Sequence, residues 1–219
     1  MSGFLAAGGA IVALMAATVS PQQASAAEPP PDKIVIKVAT VNGSGCREGT
    51  AAIAVSPDNT AFTVTYSDYL AQVGAGALPT DFRKNCQLNL RVFVPQGFTY
   101  AIAQADYRGF ASLERGASSE ERAGYYFQGS SQTDRKVHSF RGPYSDNWQT
   151  SDVTEVGALV WAPCGEIRNF NINTELRVNL GSSDKKTTSF MTMDSTDGSV
   201  NTIYRLAWKE CPDNPNPWP

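Results

Sequence analysis

From Asn169 to Leu180 the chain alternates without a break. Phe170, Ile172, Thr174, Leu176, Val178 and Leu180 share one parity, and Asn169, Asn171, Asn173, Glu175, Arg177 and Asn179 share the other. A helix would scatter these side chains around its axis, whereas a strand sends one set to a core and the other to water. Cys86, Leu88, Leu90, Val92 and Val94 repeat the pattern against Gln87, Asn89 and Arg91, with Phe93 as the exception. Further strands are expected over 33–41, 51–55, 61–66, 99–107, 122–128, 135–140, 148–153, 187–193 and 202–209.

Chain reversals separate these segments at Pro57-Asp58-Asn59, Pro95-Gln96-Gly97, Gly142-Pro143, Pro163-Cys164-Gly165 and Asp197-Gly198, where Pro presets φ and Gly accepts a left-handed backbone. No helical period is sustained; residues 118–121 are read as a single helical turn and 74–81 as the longest loop. About ten short strands in one domain predict an all-β fold, a two-sheet antiparallel β-sandwich of jelly-roll-like arrangement, in preference to a closed barrel.

Residues 1–26 read as a signal peptide. Residues 4–19 are almost wholly apolar or small, and Ala24-Ser25-Ala26 supplies a small-residue cleavage site, so the mature chain is expected to begin near Ala27. An apolar run of roughly 16 residues, interrupted by Gly8 and Gly9, is short against the ~20 needed to span a bilayer. No cysteine near the cleavage site offers a lipid anchor, and the C-terminus has no apolar tail for a glycolipid one. The expectation is an extracellular protein with no membrane association once the signal is removed. Residues 27–211 then form a single sandwich domain, and 212–219 a Pro-rich disordered tail.

In that compartment the four cysteines imply two disulfides, for which three connectivities exist. Pairing Cys46 with Cys86 and Cys164 with Cys211 closes the nearer segments without crossing the two halves of the chain. Each closure is worth on the order of 4 kcal/mol in the chain-entropy model. Neither a Cys-x-x-Cys redox motif nor close-spaced pairs for zinc are present. The net charge of −3 leaves no overall electrostatic footprint for nucleic acid or anionic lipid.

Four stretches carry a family resemblance: GSGCREGTAAIAVSPDNTAFTVTYSDY, DFRKNCQLNLRVFVPQGFTYAIAQADYRG, PCGEIRNFNINTELRV and TTSFMTMDSTDGSVNTIYRLAWKEC. They resemble the secreted actinobacterial and fungal proteins of domain-of-unknown-function family 4360, over nearly all of the mature chain. The resemblance implies an extracellular, disulfide-bonded domain, and it brings no catalytic residue.

Candidate sites must stand on their own chemistry. The one histidine, His138, would have to serve as base in any Ser-His-Asp hydrolase, and no Gly-x-Ser-x-Gly elbow marks its serine; it is read as an exposed strand residue. Asp106 and Glu175 are candidates for a glycosidase acid pair, with a solvated surface role as the simpler reading. Met193-Asp194-Ser195-Thr196-Asp197-Gly198 departs from the EF-hand spacing and reads as a turn. Neither a metal nor a cofactor is expected. Asn42-Gly43-Ser44 matches the glycosylation acceptor pattern.

Aromatic residues beside polar ones are the stronger signal. Tyr126 must face opposite to Tyr125 and Phe127, and Tyr144, Asn147 and Trp148 cluster around one turn. Tyr126, Tyr144, Asn147 and Trp148 are therefore the candidate ligand-binding set, suited to stacking on a sugar and bonding its hydroxyls. Trp161 and Trp208 are assigned to the core. The function expected is a non-catalytic binding or surface-interaction protein, with polysaccharide or cell-surface glycan as the partner class. A secreted hydrolase of polysaccharide or cell-wall material and a secreted toxin or inhibitor are the alternatives.

Overall fold

The computed structural model describes residues 27–130, 134–193 and 202–212. The chain runs through β1 (Val35–Asn42), β2 (Ala51–Val55), β3 (Ala61–Tyr66), β4 (Leu70–Gly74), β5 (Arg83–Phe93) and β6 (Phe98–Leu113). It continues through β7 (Ser118–Phe127), β8 (Asp134–Arg141), β9 (Tyr144–Val153), a 3-10 turn at Val156–Ala158, β10 (Asn169–Asn179), β11 (Thr188–Thr192) and β12 (Thr202–Glu210). One sheet has the order β1-β5-β10-β7-β8. The other has the order β2-β3-β12-β6-β11-β4, with β9 also paired to β6. Every pairing between these strands is antiparallel. The fold is the expected two-sheet antiparallel sandwich.

The unbroken alternation of β10 makes it the central strand of its sheet. Phe170, Ile172, Leu176 and Val178 are buried, while the amides on the opposite parity form the outer face. From the facing sheet, Phe62 stacks on Tyr204 at 4.9 Å between ring centroids, and Tyr107 meets Tyr204 edge-on at 6.2 Å. Burying rings of this size supplies much of the apolar driving force for closing the sandwich.

Both disulfides are present in the pairing expected: Cys46–Cys86 and Cys164–Cys211, with Cα atoms 5.3 and 5.8 Å apart. The first pins the segment after β1 to β5, and the second pins the loop after the 3-10 turn to the end of β12.

Several segments differ from the sequence-based expectation: β9 begins at Tyr144 rather than at 148, and the longest stretch between strands is 154–168 rather than 74–81. Residues 118–121 are not a helical turn but the start of β7, because Ser119 and Glu121 continue the inward parity of Ala123, Tyr125 and Phe127. β4 was not anticipated. β6 runs on past Tyr107 to Leu113, and inside that extension Gly109 admits a neighbour that no other residue could: an added Cβ would lie 1.9 Å from the Thr192 carbonyl oxygen and 2.7 Å from the Trp148 ring. The signal segment 1–26, the turn at 194–198 and the tail beyond Pro212 lie outside the described residues.

Candidate functional site

Strand alternation dissolves the expected aromatic cluster. On β9 the even positions face inward, so Trp148 is only 3% exposed; it packs against Phe140 at 5.5 Å and donates its indole N–H to the Thr192 carbonyl at 3.1 Å. The space it fills is the one left by Gly109, its register partner on β6. Tyr144 is half-buried on the same side, its hydroxyl donating to the Asn147 carbonyl at 2.9 Å. The Asn147 side chain belongs to the opposite, exposed parity. Tyr126 lies on the outer face of the other sheet, so the structure does not bring the four residues together. Trp208 is buried as expected, whereas Trp161 is half-buried with the Lys209 ammonium 5.9 Å from its ring.

Tyr126 has different company. Its hydroxyl accepts from Gln87 Nε2 at 3.5 Å on a strand two places away, so its ring spans β10. Beside it a row of amides is already ordered. Asn169 Nδ2 donates to Asn89 Oδ1 at 2.8 Å, and Asn89 Nδ2 donates to Asn171 Oδ1 at 2.8 Å. Asn171, the register neighbour of Tyr126, is 4% exposed. On the inner side of β7 a small, partly open apolar hollow is lined by Ile102, Tyr125, Phe127, Val160 and Phe170, and Tyr126 reaches its edge. An aromatic ring flanked by fixed amides suits a ligand with one apolar face and several hydroxyls.

The carboxylates sort by environment. Asp106 is 4% exposed and loses solvation, yet hydrogen bonds from Ser151 and Gln104 and the charge of Arg205 hold its pKa below the usual value. Glu175 is likewise held low against partial burial, by Arg177 and Arg83. Both stay anionic and neither is poised to give up a proton. Glu121 is the reverse case: it is fully buried, neither oxygen has a hydrogen-bond partner, and burial, with the Asp152 charge behind it, pushes its pKa well up.

In register with Glu121, on the neighbouring strand β8, sits His138. It is not an exposed strand histidine. Its Nε2 lies 2.6 Å from Asp152 Oδ1, joining the edge strands β8 and β9 across the seam between the sheets. The Tyr125 hydroxyl donates to the other Asp152 oxygen at 3.5 Å. Glu121 and Asp152 were missed in the sequence. The signal for Glu121 was there, in its parity with Ala123, Tyr125 and Phe127. Among the described residues no group of three or more His, Cys, Asp or Glu side chains is placed to hold a metal ion, and no helix is long and apolar enough to cross a membrane.

The profile of the family described as Domain of unknown function (DUF4360) matches residues 32–211. The chain belongs to this family. An uncharacterized secreted protein of the fungus Arthroderma benhamiae is 34% identical over 195 residues, which cover 89% of this chain and 79% of that protein. Among solved structures, the enzymatically active domain of bacteriophage CBA120 tailspike protein 4 is 11% identical with a TM-score of 0.25, over 78% of this chain. An α-xylosidase of glycoside hydrolase family 31 from Xanthomonas citri is 9% identical with a TM-score of 0.17, over 81% of this chain. The chain spans 19% of the length of each of these two structures. Likenesses at that level carry no argument about activity in this DUF4360 protein.

Proposed function

We propose that this DUF4360 protein is a secreted, non-catalytic binding protein that takes a polysaccharide or cell-surface glycan on the outer face of the five-stranded sheet, with Tyr126 as the stacking ring. The observation that carries the reading is the hydrogen-bonded row Asn169–Asn89–Asn171 lying beside the Tyr126 ring. Amides fixed by one another lose little freedom when a sugar hydroxyl binds, and a ring lying across the sheet offers a flat apolar surface. Export is supported by the signal-peptide reading of residues 1–26, by the two disulfides, and by the secreted fungal relative. In this reading residues 27–211 act as one domain.

The hydrolase alternative needs a proton donor open to a cleft. Asp106 and Glu175 are held anionic, and Glu121, the carboxyl with the raised pKa, is sealed between the sheets. Pull-down of wild-type and Tyr126→Ala protein on chitin, cellulose and cell-wall preparations tests the proposal. The substitution should weaken binding by about 1–3 kcal/mol, the scale for losing one aromatic anchor, and leave thermal unfolding nearly unchanged. Wild-type protein that binds none of these materials sinks the reading, and release of reducing sugar from them would favour a hydrolase.

A further inference from the structure

We propose that the glycan taken on this face is acidic: the amides and Tyr126 hold the sugar rings while unpaired arginines to either side bind carboxylate groups, an inference that rests on the glycan-binding reading of the same face. The chain as a whole carries a net charge of −3, and its outer β1-β5-β10-β7-β8 face is charged the other way. Arg83, Arg122 and Arg177 share only two carboxylates there, Glu120 and Glu175. Lys37, Arg91, Arg135 and Arg141 are exposed and form no ion pair among the described residues. The described side chains of this face therefore carry five more positive than negative charges.

Register places that excess around the candidate site. One row across the sheet reads Thr40, Asn89, Asn171, Tyr126. The next row on one side reads Lys37, Arg91, Asn169, and the next on the other side reads Asn42, Gln87, Asn173, Gly124, Arg135. Arg91 and Arg135 thus flank the amide–tyrosine row diagonally. With strands about 4.8 Å apart and about 3.3 Å of rise per residue, they stand roughly 20 Å from one another. A polymer lying across the row would meet a guanidinium at each end, and guanidinium binds carboxylate in a two-pronged, directional way. Nucleic acid fits less well, because its densely spaced phosphates would meet a row of neutral amides and a protein of net negative charge.

Calorimetry of the full secreted chain with polygalacturonate, with its methyl-esterified form and with single-stranded DNA tests the proposal. The ester keeps the sugar rings and removes the charge. Wild type should prefer the acid form, and raising salt from about 0.05 to 0.5 M should erode that preference. Arg91→Ala with Arg135→Ala should weaken binding of the acid form by about tenfold or more, with binding of the ester and thermal unfolding unchanged. Equal affinity of wild type for acid and ester, or an unaffected double variant, overturns the inference. If Tyr126→Ala still weakens binding in that case, the glycan-binding reading survives alone. Single-stranded DNA bound as tightly as polygalacturonate would also overturn it, as would failure of polygalacturonate and its ester to bind a protein that still binds chitin, cellulose or cell-wall material; failure on all of them removes both readings.

Discussion

Glu121→Gln should shift the stability of this protein relative to wild type in the variant's favour as pH rises. Glu121 has no solvent exposure and no hydrogen bond to either oxygen. Around it are Asp152 of β9, its register partner His138 of β8, and the buried phenols Tyr66 of β3, Tyr69 and Tyr204 of β12. Burial first, and the Asp152 charge second, raise its pKa well above the ordinary 4.5. Above that ordinary value the folded state keeps a proton the unfolded chain has released, so stability falls as pH rises, by about 1.4 kcal/mol per pH unit until the folded pKa is reached. Glutamine keeps the shape and has no proton to lose. For a chain of this size about 1 kcal/mol moves the melting temperature by 2–4 °C, so the variant should gain about 3–6 °C on wild type per pH unit above 4.5. Thermal melts at half-unit steps from pH 4 to 8 measure this. Glutamine's own amide adds a constant offset, which leaves the slope as the readout. Parallel curves for the two proteins would refute the assignment, as would the lack of a protonated-carboxyl infrared band that disappears in the variant.

Trp148→Ala should lower unfolding stability by about 3–5 kcal/mol, the cost of emptying a large core site, and leave polysaccharide binding untouched in the molecules that fold; denaturant titration with pull-down checks both. Reducing the disulfides should cost on the order of 4 kcal/mol for each closed loop, and free-thiol counting on denatured, unreduced protein should find none in the mature chain.

What could be read beforehand followed from local pattern. β10 was legible because its alternation is uninterrupted, and β2 and β3 were found with their ends in place. The start of β7 was not, because Ser-Ser-Glu-Glu looks like a surface turn until the inward parity of residues 119 and 121 is followed through to Phe127. Trp148 misled for a related reason. Its polar neighbours suggested exposure, and the glycine that gives it room lies on a different strand, at Gly109. The charge of the outer face of the five-stranded sheet was hidden by averaging, since a net value of −3 says nothing about how signs divide between two faces. Arg91, Arg122 and Arg177 do share the outward parity of the amides, so the asymmetry was present in the sequence once strand pairing supplied the rows.

That division by parity has a functional consequence. On β7, Glu121 points into the sandwich and Arg122 points out beside Glu120; one residue apart, they belong to separate problems. Inward substitutions act on packing and on the desolvation of charge, and outward ones act on ligand contacts and the surface field. Changes at Arg91, Tyr126 or Arg135 should therefore alter binding with little effect on melting, and changes at Glu121 or Trp148 should do the reverse. A protein built this way can vary its outer face without disturbing the core that carries it.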